Sequence, residues 1–592
     1  MQIKYLDGKR FYRGLLAGGK ALIRNQTYLN KINVFPVADS DTGINLAMTM
    51  KAILESSRIS ISIKETLRNV ADSALNGARG NSGIIFAQYL HGLSRELPES
   101  GVLTVKNFAH SAHKAVSHLY DSIMNPVEGT MITVIREWAE NLVEQSGKTS
   151  DFFHVITDSL TAARKSLQET PRKLKVLADA GVVDAGACGF VTFLEGVVEY
   201  IQSGSLKETA VLPGFPEETE LTEGHTIAPD EYRYCAEAVM GNLSVPLQKV
   251  KDSISGLGDS LILAGGLEKL HIHIHTNEPE KLFDKLFRLG EIISSKVDDM
   301  LRQYQISHDR KYPIGIVTDT ACDLPLELLD KYQISRIPFG INFGSRLYLD
   351  KLTISPDRFY HMLKYGKVHP VSSQPPPVTV KNHLEFAATH YEHIIAVHIS
   401  DKLSGICQTS SVLIDKMEEG KASVINSRHL SVSEGLVTLR IARAIEAGAG
   451  FSQIVQDSGR WIADTRIYTD INTLKYMVRG GRVKPLAGMV ASILNLKPIV
   501  SLDSEGKAIA WGKSLSRKRN MAKILRQIKS ELDSKTLWEY AIVHADAEER
   551  ALKYGEALTA LTGKKPVYIM SLSPVVGVHN GVGTVGIGVS YD

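Results

Sequence analysis

The sequence predicts a multidomain protein with an all-helical N-terminal region, a small α+β middle domain and a C-terminal α/β domain. Three observations carry this. The chain has 592 residues, more than one ordinary hydrophobic core organises. Apolar residues recur at helical spacing over residues 1–205, whereas short strand-like runs alternate with helical segments over 313–592. Between these regions, residues 206–230 collect glycine, proline and glutamate and read as a linker, followed by a short mixed segment at 231–308.

Composition narrows the function classes. Hydrophobic residues make up 43% and charged residues 22%, values typical of folded globular proteins. The 68 basic and 65 acidic residues leave a net charge of +3, which gives no global reason to expect nucleic acid as a partner. No apolar run approaches about 18 residues, and residues 1–8 lack a leader-like apolar core. Neither a membrane span nor secretion is therefore expected; transient contact with a membrane surface is left open. Cys188, Cys235, Cys322 and Cys407 are too scattered for a disulfide framework, and a reduced, cytoplasmic setting fits.

In the helical region Leu46, Met50, Ile53 and Leu54 keep one helical face, as do Ile85, Tyr89, Leu90 and Leu93. Gly14, Gly19 and Lys20 have phosphate-loop spacing, but Ala21 stands where a magnesium-binding hydroxyl belongs, and no strand precedes them. Gly581, Gly583 and Gly586 have dinucleotide-type spacing with no room for a following helix, so they read as a chance match or a tight terminal turn. Asp39 and Asp41 lie two residues apart after a proline break and before a helix. Paired hard oxygens of this kind suit magnesium. A solvated turn with Asp39 capping the helix is the alternative. Three further helix starts are rich in small residues: 77–83, which includes Asn81, Ser82 and Gly83; 128–131, with Thr130; and 181–187, with Asp184.

The segments Asn-Val-Phe-Pro-Val-x-Asp-x-Asp-Thr-Gly at 33–43, Gly-Ala-Arg-Gly-Asn-Ser-Gly at 77–83, Pro-Val-Glu-Gly-Thr at 126–130 and Gly-Val-Val-Asp-Ala-Gly at 181–186 together resemble the nucleotide-binding domain of the dihydroxyacetone kinase family, in the form found in bacterial fatty acid kinases. The resemblance implies an all-helical barrel holding ATP at one end. It assigns magnesium and catalysis to Asp39 and Asp41, with Asn33 beside them. It puts Thr42, Asn81, Ser82, Gly83 and Thr130 near the phosphates and Asp184 near the nucleotide. Ala38, Ser40 and Ile44 stand where the family more often has Pro, Gly and Thr.

In the middle segment Leu270 to Thr276 alternates strictly, which sends His271, His273 and His275 to one face of a strand. Cys235 on a neighbouring strand would complete a donor set suited to zinc; a polar strand face is the alternative. The segment also resembles the middle domain of fatty acid kinases, which makes Cys235, His273 and His275 the preferred ligands for Zn2+, in a regulatory or structural role.

Beyond residue 313 the strand candidates are 314–318, 394–398, 422–425, 540–544 and 566–570, expected to form a largely parallel sheet. Ile-Val-Thr-Asp at 316–319, Ser-Gln-Pro at 373–375, Leu-Ser-Gly at 403–405, Arg-Gly-Gly-Arg at 479–482, Leu-Lys-Pro at 496–498 and His579 resemble the DegV family of fatty-acid-binding proteins. That resemblance makes Ser372, Ser404 and His579 holders of a fatty acid carboxylate, with Arg479 nearby. The whole chain thus reads as a fatty acid kinase fused to its carrier, converting ATP and a long-chain fatty acid to ADP and acyl phosphate. The alternative, prompted by Ser40 and Ile44, is a non-catalytic lipid-binding or sensor protein. Docking within one chain and docking between chains of a homodimer are both compatible with the sequence.

Overall fold

The computed structural model describes residues 2–35, 41–99, 102–204, 231–481 and 497–592. They form two compact units, Met1–His308 and Asp309–Asp592. The 206–230 linker, together with Asp39, Ala38, Ser40 and Arg482, lies outside the described residues.

The first unit begins with helices packed around one core, among them Gly8–Arg24, Thr42–Ser56, Gly80–Glu96 and Ala185–Ser203. The expected apolar faces are inside: Leu46, Met50 and Ile53 are fully buried. Phe86 meets Phe193 edge to face at 5.2 Å, a favourable arrangement of ring quadrupoles. Gly14, Gly19 and Lys20 lie inside the first helix. There small residues serve close packing, since a Cβ on Gly18 would stand 2.6 Å from the carbonyl oxygen of Phe193.

The 231–308 segment packs into the same unit. It is a four-stranded antiparallel sheet ordered Gly258–Gly265, Lys269–Thr276, Tyr234–Gly241, Glu291–Asp299. The strand alternation gives this sheet two unlike faces. Ala236, Ala238, Ile272 and Ile274 are buried on one, with the amphipathic helix Pro279–Leu289 contributing Leu282, Phe283 and Leu286 to the buried set. Cys235, Glu237 and the three histidines occupy the other. That polar face is not left to water. Ile262 and Ala264 join the helical core, and Met124 N donates to Leu261 O at 3.0 Å. Gly265 N donates to Gln88 Oε1 at 2.8 Å, and His271 Nδ1 lies 2.8 Å from Leu75 O.

The second unit departs from the expected single, largely parallel sheet. Ala422–Asn426, His393–His398, Ile314–Asp319 and Ser335–Ile337 do form a parallel sheet in that order. The other two expected strands belong elsewhere. They fall in a six-stranded sheet ordered Ala508–Ser514, Lys497–Leu502, Thr465–Asp470, Val585–Tyr591, Leu537–His544, Ile569–Ser571, which is antiparallel except for its last pair. Connection length accounts for one of these pairs, since Lys497–Leu502 and Ala508–Ser514 are joined by a five-residue turn that permits only antiparallel pairing, and the last strand, Val585–Tyr591, enters antiparallel between Thr465–Asp470 and Leu537–His544. A three-stranded sheet, Arg346–Leu349, Gly340–Phe343, Val371–Ser373, completes the unit. Gly581 and Gly583, with φ of 76° and 81°, make the tight turn before the last strand.

A fully buried chain of polar groups ties the parallel sheet to its loops. Asp319 Oδ2 lies 3.1 Å from His398 Nδ1 and accepts from Ile399 N, while His398 Nε2 lies 2.8 Å from Ser410 Oγ. With Nδ1–H donating to the carboxylate, Nε2 accepts the serine proton and all three side chains are satisfied. His398→Ala would leave the buried Ser410 hydroxyl without its acceptor, take one of two donors from Asp319 Oδ2 and open a cavity, and is expected to lower the stability of this unit by about 3 kcal/mol. Denaturant unfolding followed by tryptophan fluorescence checks this, since Trp461, Trp511 and Trp538 lie here and Trp138 is the chain's fourth tryptophan.

Candidate functional site

The structure brings two sequence signals into one cleft. One wall comes from the helical region: Asn33, Asp41, Thr42, Asn45 and the helix start Gly80–Ser82. The other comes from the polar sheet face: Cys235, Glu237, His273, His275, Lys296 and Asp298.

On the helical wall, Thr42 opens the helix Thr42–Ser56 and donates its hydroxyl proton to Asn33 Oδ1 at 2.7 Å. Asp41 immediately precedes that helix, so hard oxygen donors gather at one helix N-terminus. Gly80 has φ of +58°, a conformation glycine adopts without a Cβ penalty. This backbone turn directs the Gly80 N–H to Glu237 Oε1 at 2.9 Å. Asn81 Oδ1 is buried without a hydrogen-bond partner.

On the sheet wall, register decides what faces the cleft. Cys235 pairs with His275 on one side and Asp298 on the other; Glu237 pairs with His273 and Lys296. Paired residues in an antiparallel ladder share a face, so all six side chains emerge together. Ligand atoms of Cys235, His273 and His275 lie within 4.8 Å of one another, with Cys235 Sγ 3.6 Å from His273 Nδ1. Burial, reinforced by the like charge of His273, lowers the His275 pKa to about 3, so the ring is neutral and able to donate a lone pair. Burial, with Glu237 and Asp298 nearby, pushes the Cys235 thiol well up, so a bound cation would be what draws off its proton. The buried His273 Nε2 has no hydrogen-bond partner. One soft sulfur and two imidazoles gathered this closely fit zinc.

Glu237 holds the walls together. Burial would raise its pKa, but Lys296, His271 and His273 outweigh that and hold it well below the usual carboxylate range. Arg79 Nη1 lies 3.7 Å from its second oxygen. Lys296 is itself paired with Asp298, and the two carboxylates keep it protonated against the opposing effect of burial.

Three sequence candidates lie away from the cleft lining. Gly83 is a packing residue, since a Cβ there would collide with Thr49 Oγ1. Thr130 donates to Val127 O at 2.8 Å. Asp184 is 5% exposed and caps the helix Ala185–Ser203, its Oδ2 accepting from Ala187 N at 2.7 Å. Met131 and Gly186 also direct backbone N–H groups at it. Sequence reasoning missed Asn45, Glu237, Lys296 and Asp298. The available signal was spacing, because Glu237 follows Cys235 by two residues and Asp298 follows Lys296 by two, the same period as the histidines.

The second unit contains a cavity of about 240 Å³. Its wall is mainly apolar, with Phe339, Ile399, Leu430, Ile467, Val500 and Val576 drawn from separate segments. Polar groups gather from Ser372, Ser404 and His579, with Ser372 Oγ 2.9 Å from His579 Nε2. Gly480 backs the imidazole, because a Cβ there would strike His579 Nδ1. Arg479 is exposed and does not line the cavity.

Comparison with known proteins assigns each part. The DAK2 domain model matches residues 36–199, the FakA-like model of the fatty acid kinase middle domain matches 231–307, and the DegV family model matches 313–592. The chain joins a DAK2 domain and a FakA-like middle domain to a DegV domain. An uncharacterized protein of Staphylococcus saprophyticus is 31% identical over 315 residues, covering 51% of this chain and 57% of that protein. One of Staphylococcus aureus is 31% identical over 314 residues, with the same coverage. The DAK2–DegV chain thus spans 57% of the length of these relatives. Among solved structures, a fatty-acid-binding DegV family protein from Thermus thermophilus is 25% identical, with a TM-score of 0.44, covering 47% of this chain and 99% of that one. DegV, a fatty acid binding protein from Bacillus subtilis, is 24% identical with the same TM-score, covering 48% of this chain and all of that one.

Burial raises the Asp184 carboxyl to about 6, against the three backbone N–H groups that favour its ionised form. Its stabilising contribution is therefore complete below the ordinary carboxylate range and declines as pH rises from about 4 through about 6. Asp184→Asn keeps a carbonyl acceptor without titrating and is expected to flatten that part of the stability profile. Asp184→Ala should cost about 1–3 kcal/mol across the range. Urea unfolding of both variants between pH 4 and 8 measures the difference.

Proposed function

We propose that this chain is a fatty acid kinase carrying its own fatty-acid-binding domain, transferring the γ-phosphoryl group of ATP to the carboxylate of a long-chain fatty acid. The observation that carries the reading is the cleft in which Asp41, Thr42 and Ser82 of the DAK2 match, with Asn33 just before it, meet residues of the kinase-type middle domain. The same chain supplies a mainly apolar cavity with a serine–histidine pair in a DegV domain.

In this reading Asp39 and Asp41 hold magnesium, with Asn33 beside them, and Thr42, Asn81 and Ser82 bind phosphate oxygens. Magnesium bound there would neutralise charge on the transferred group. Gly83 and Thr130 support the phosphate-binding turns from behind, and Asp184 fixes two helix starts near the nucleotide. Cys235, His273 and His275 hold zinc, which would pin the sheet to the cleft. In the DegV domain Ser372, Ser404 and His579 hold the fatty acid carboxylate, with Arg479 at the cavity's outer side, and the apolar wall takes the tail at about 0.8 kcal/mol per buried methylene.

The carboxylate is ionised near pH 7, so no general base is required. One carboxylate oxygen bonds to the γ-phosphorus as the bond to the departing ADP oxygen breaks, giving acyl phosphate and ADP. Catalysis is then positioning and charge neutralisation. Fusion would raise the effective concentration of carrier at kinase to about millimolar where the linkers permit contact, in one chain or across a homodimer. The reaction belongs in the cytoplasm, where ATP is present and thiols such as the four free cysteines stay reduced.

Purified protein given ATP, magnesium and a long-chain fatty acid should yield acyl phosphate, trapped as hydroxamate. Asp41→Ala should lower the yield at least about 100-fold with fatty acid binding intact. Ser372→Ala should weaken fatty acid binding about tenfold, read by fluorescent-lipid displacement. A wild type that binds ATP and lipid yet forms no product would instead support a non-catalytic lipid-binding protein.

A further inference from the structure

The cleft contains a cation that neither the magnesium assignment nor the zinc assignment uses. Among its described lining residues Asp41, Glu237 and Asp298 are carboxylates, and Lys296 bears the one ammonium group. Lys296 sits on the edge strand Glu291–Asp299, opposite Glu237 in the ladder, while Asp298 stands opposite Cys235. Register therefore projects the ammonium from the same face as the zinc-type trio, into the cleft that Asn33, Asp41, Thr42 and Ser82 bound from the helical side. Lys296 is half-buried and lines the cleft, its ammonium held beside Asp298.

The charge pattern is unlike that of a simple surface ion pair. Glu237, the nearest carboxylate in register, is already engaged by Gly80 N and flanked by Arg79, His271 and His273. Asp298 alone pairs directly with Lys296. A lysine held by one carboxylate from its own strand has two further ammonium protons to offer.

Transfer between a nucleotide and a carboxylate brings two anions together, and a metal on the helical wall neutralises only the nucleotide's side of that encounter. We propose that Lys296, supplied by the edge strand of the middle domain, is the cation that meets the phosphoryl group in flight. This rests on the kinase reading above. In the step, the Lys296 ammonium donates hydrogen bonds to a γ-phosphate oxygen while the phosphorus passes from the ADP oxygen to the carboxylate oxygen; no proton is exchanged, and Lys296 stays charged throughout.

The test is steady-state hydroxamate formation by the full chain, alongside nucleotide affinity measured with a fluorescent ATP analogue and bound zinc measured by mass spectrometry. Lys296→Met should lower kcat about 100- to 1000-fold, with nucleotide affinity changed less than about fivefold and zinc content unchanged. Lys296→Arg, which keeps the charge, should restore at least about a tenth of wild-type kcat. Lys296→Gln, polar and close in length, serves as a second neutral variant and should match Lys296→Met. A wild type that turns over while both neutral variants keep its kcat overturns the role of Lys296 alone. So does loss of zinc and nucleotide binding together with activity in both neutral variants, which would make Lys296 a structural residue. A wild type that forms no acyl phosphate overturns the kinase reading, and this role with it.

Discussion

The first unit depends on one buried carboxylate. Glu237 accepts the Gly80 N–H at 2.9 Å and is 3% exposed, so the anion sits between a sheet and a helix start with little water to stabilise it. It stays ionised because Arg79, Lys296 and two histidines surround it. This single contact sets how the Cys235 strand lies against the turn that begins Gly80–Glu96. If the sheet shifted by one residue, every side chain on that strand would exchange faces and the Cys–His–His trio would leave the cleft.

A comparable constraint organises the second unit. Asp319, His398 and Ser410 form a buried chain that fixes the carboxyl ends of two parallel strands. Ligand sites in open α/β sheets lie at those ends. Ala321 and Ile399, each close in sequence to a member of this chain, line the cavity, as do Ser404 and Gly405 in the following loop. The same logic thus recurs in both units: a buried polar network holds backbone in place, and the loops it holds present the chemistry.

Local features were legible in the sequence, and long-range ones were not. The helix starts at Asp41, Gly80 and Asp184 stand out because small residues, carboxylates and apolar periodicity occur within a few positions of one another. The histidine strand stands out for the same reason, its period of two being visible in seven residues. The partner of that strand was not legible, since Glu237 and Gly80 are 157 residues apart. Lys296 and Asp298 look like a solvated strand face when read alone, and only the ladder with Glu237 and Cys235 gives them a direction. The wall of the apolar cavity escaped for a related reason: Phe339, Leu430 and Val500 come from different segments, and no local period links them. The antiparallel six-stranded sheet was missed because its strands Thr465–Asp470 and Val585–Tyr591 pair across more than a hundred residues.

Helical and sheet walls line one cleft, and in the proposed reading nucleotide phosphates and zinc would meet there. The most direct measurement is a crystal structure of the full chain with magnesium and a non-hydrolysable ATP analogue, with anomalous scattering recorded at the zinc edge. The account predicts zinc on Cys235, His273 and His275 and the terminal phosphate between Asp41 and Lys296. A nucleotide bound at the helical wall with its phosphates directed away from the sheet would contradict it.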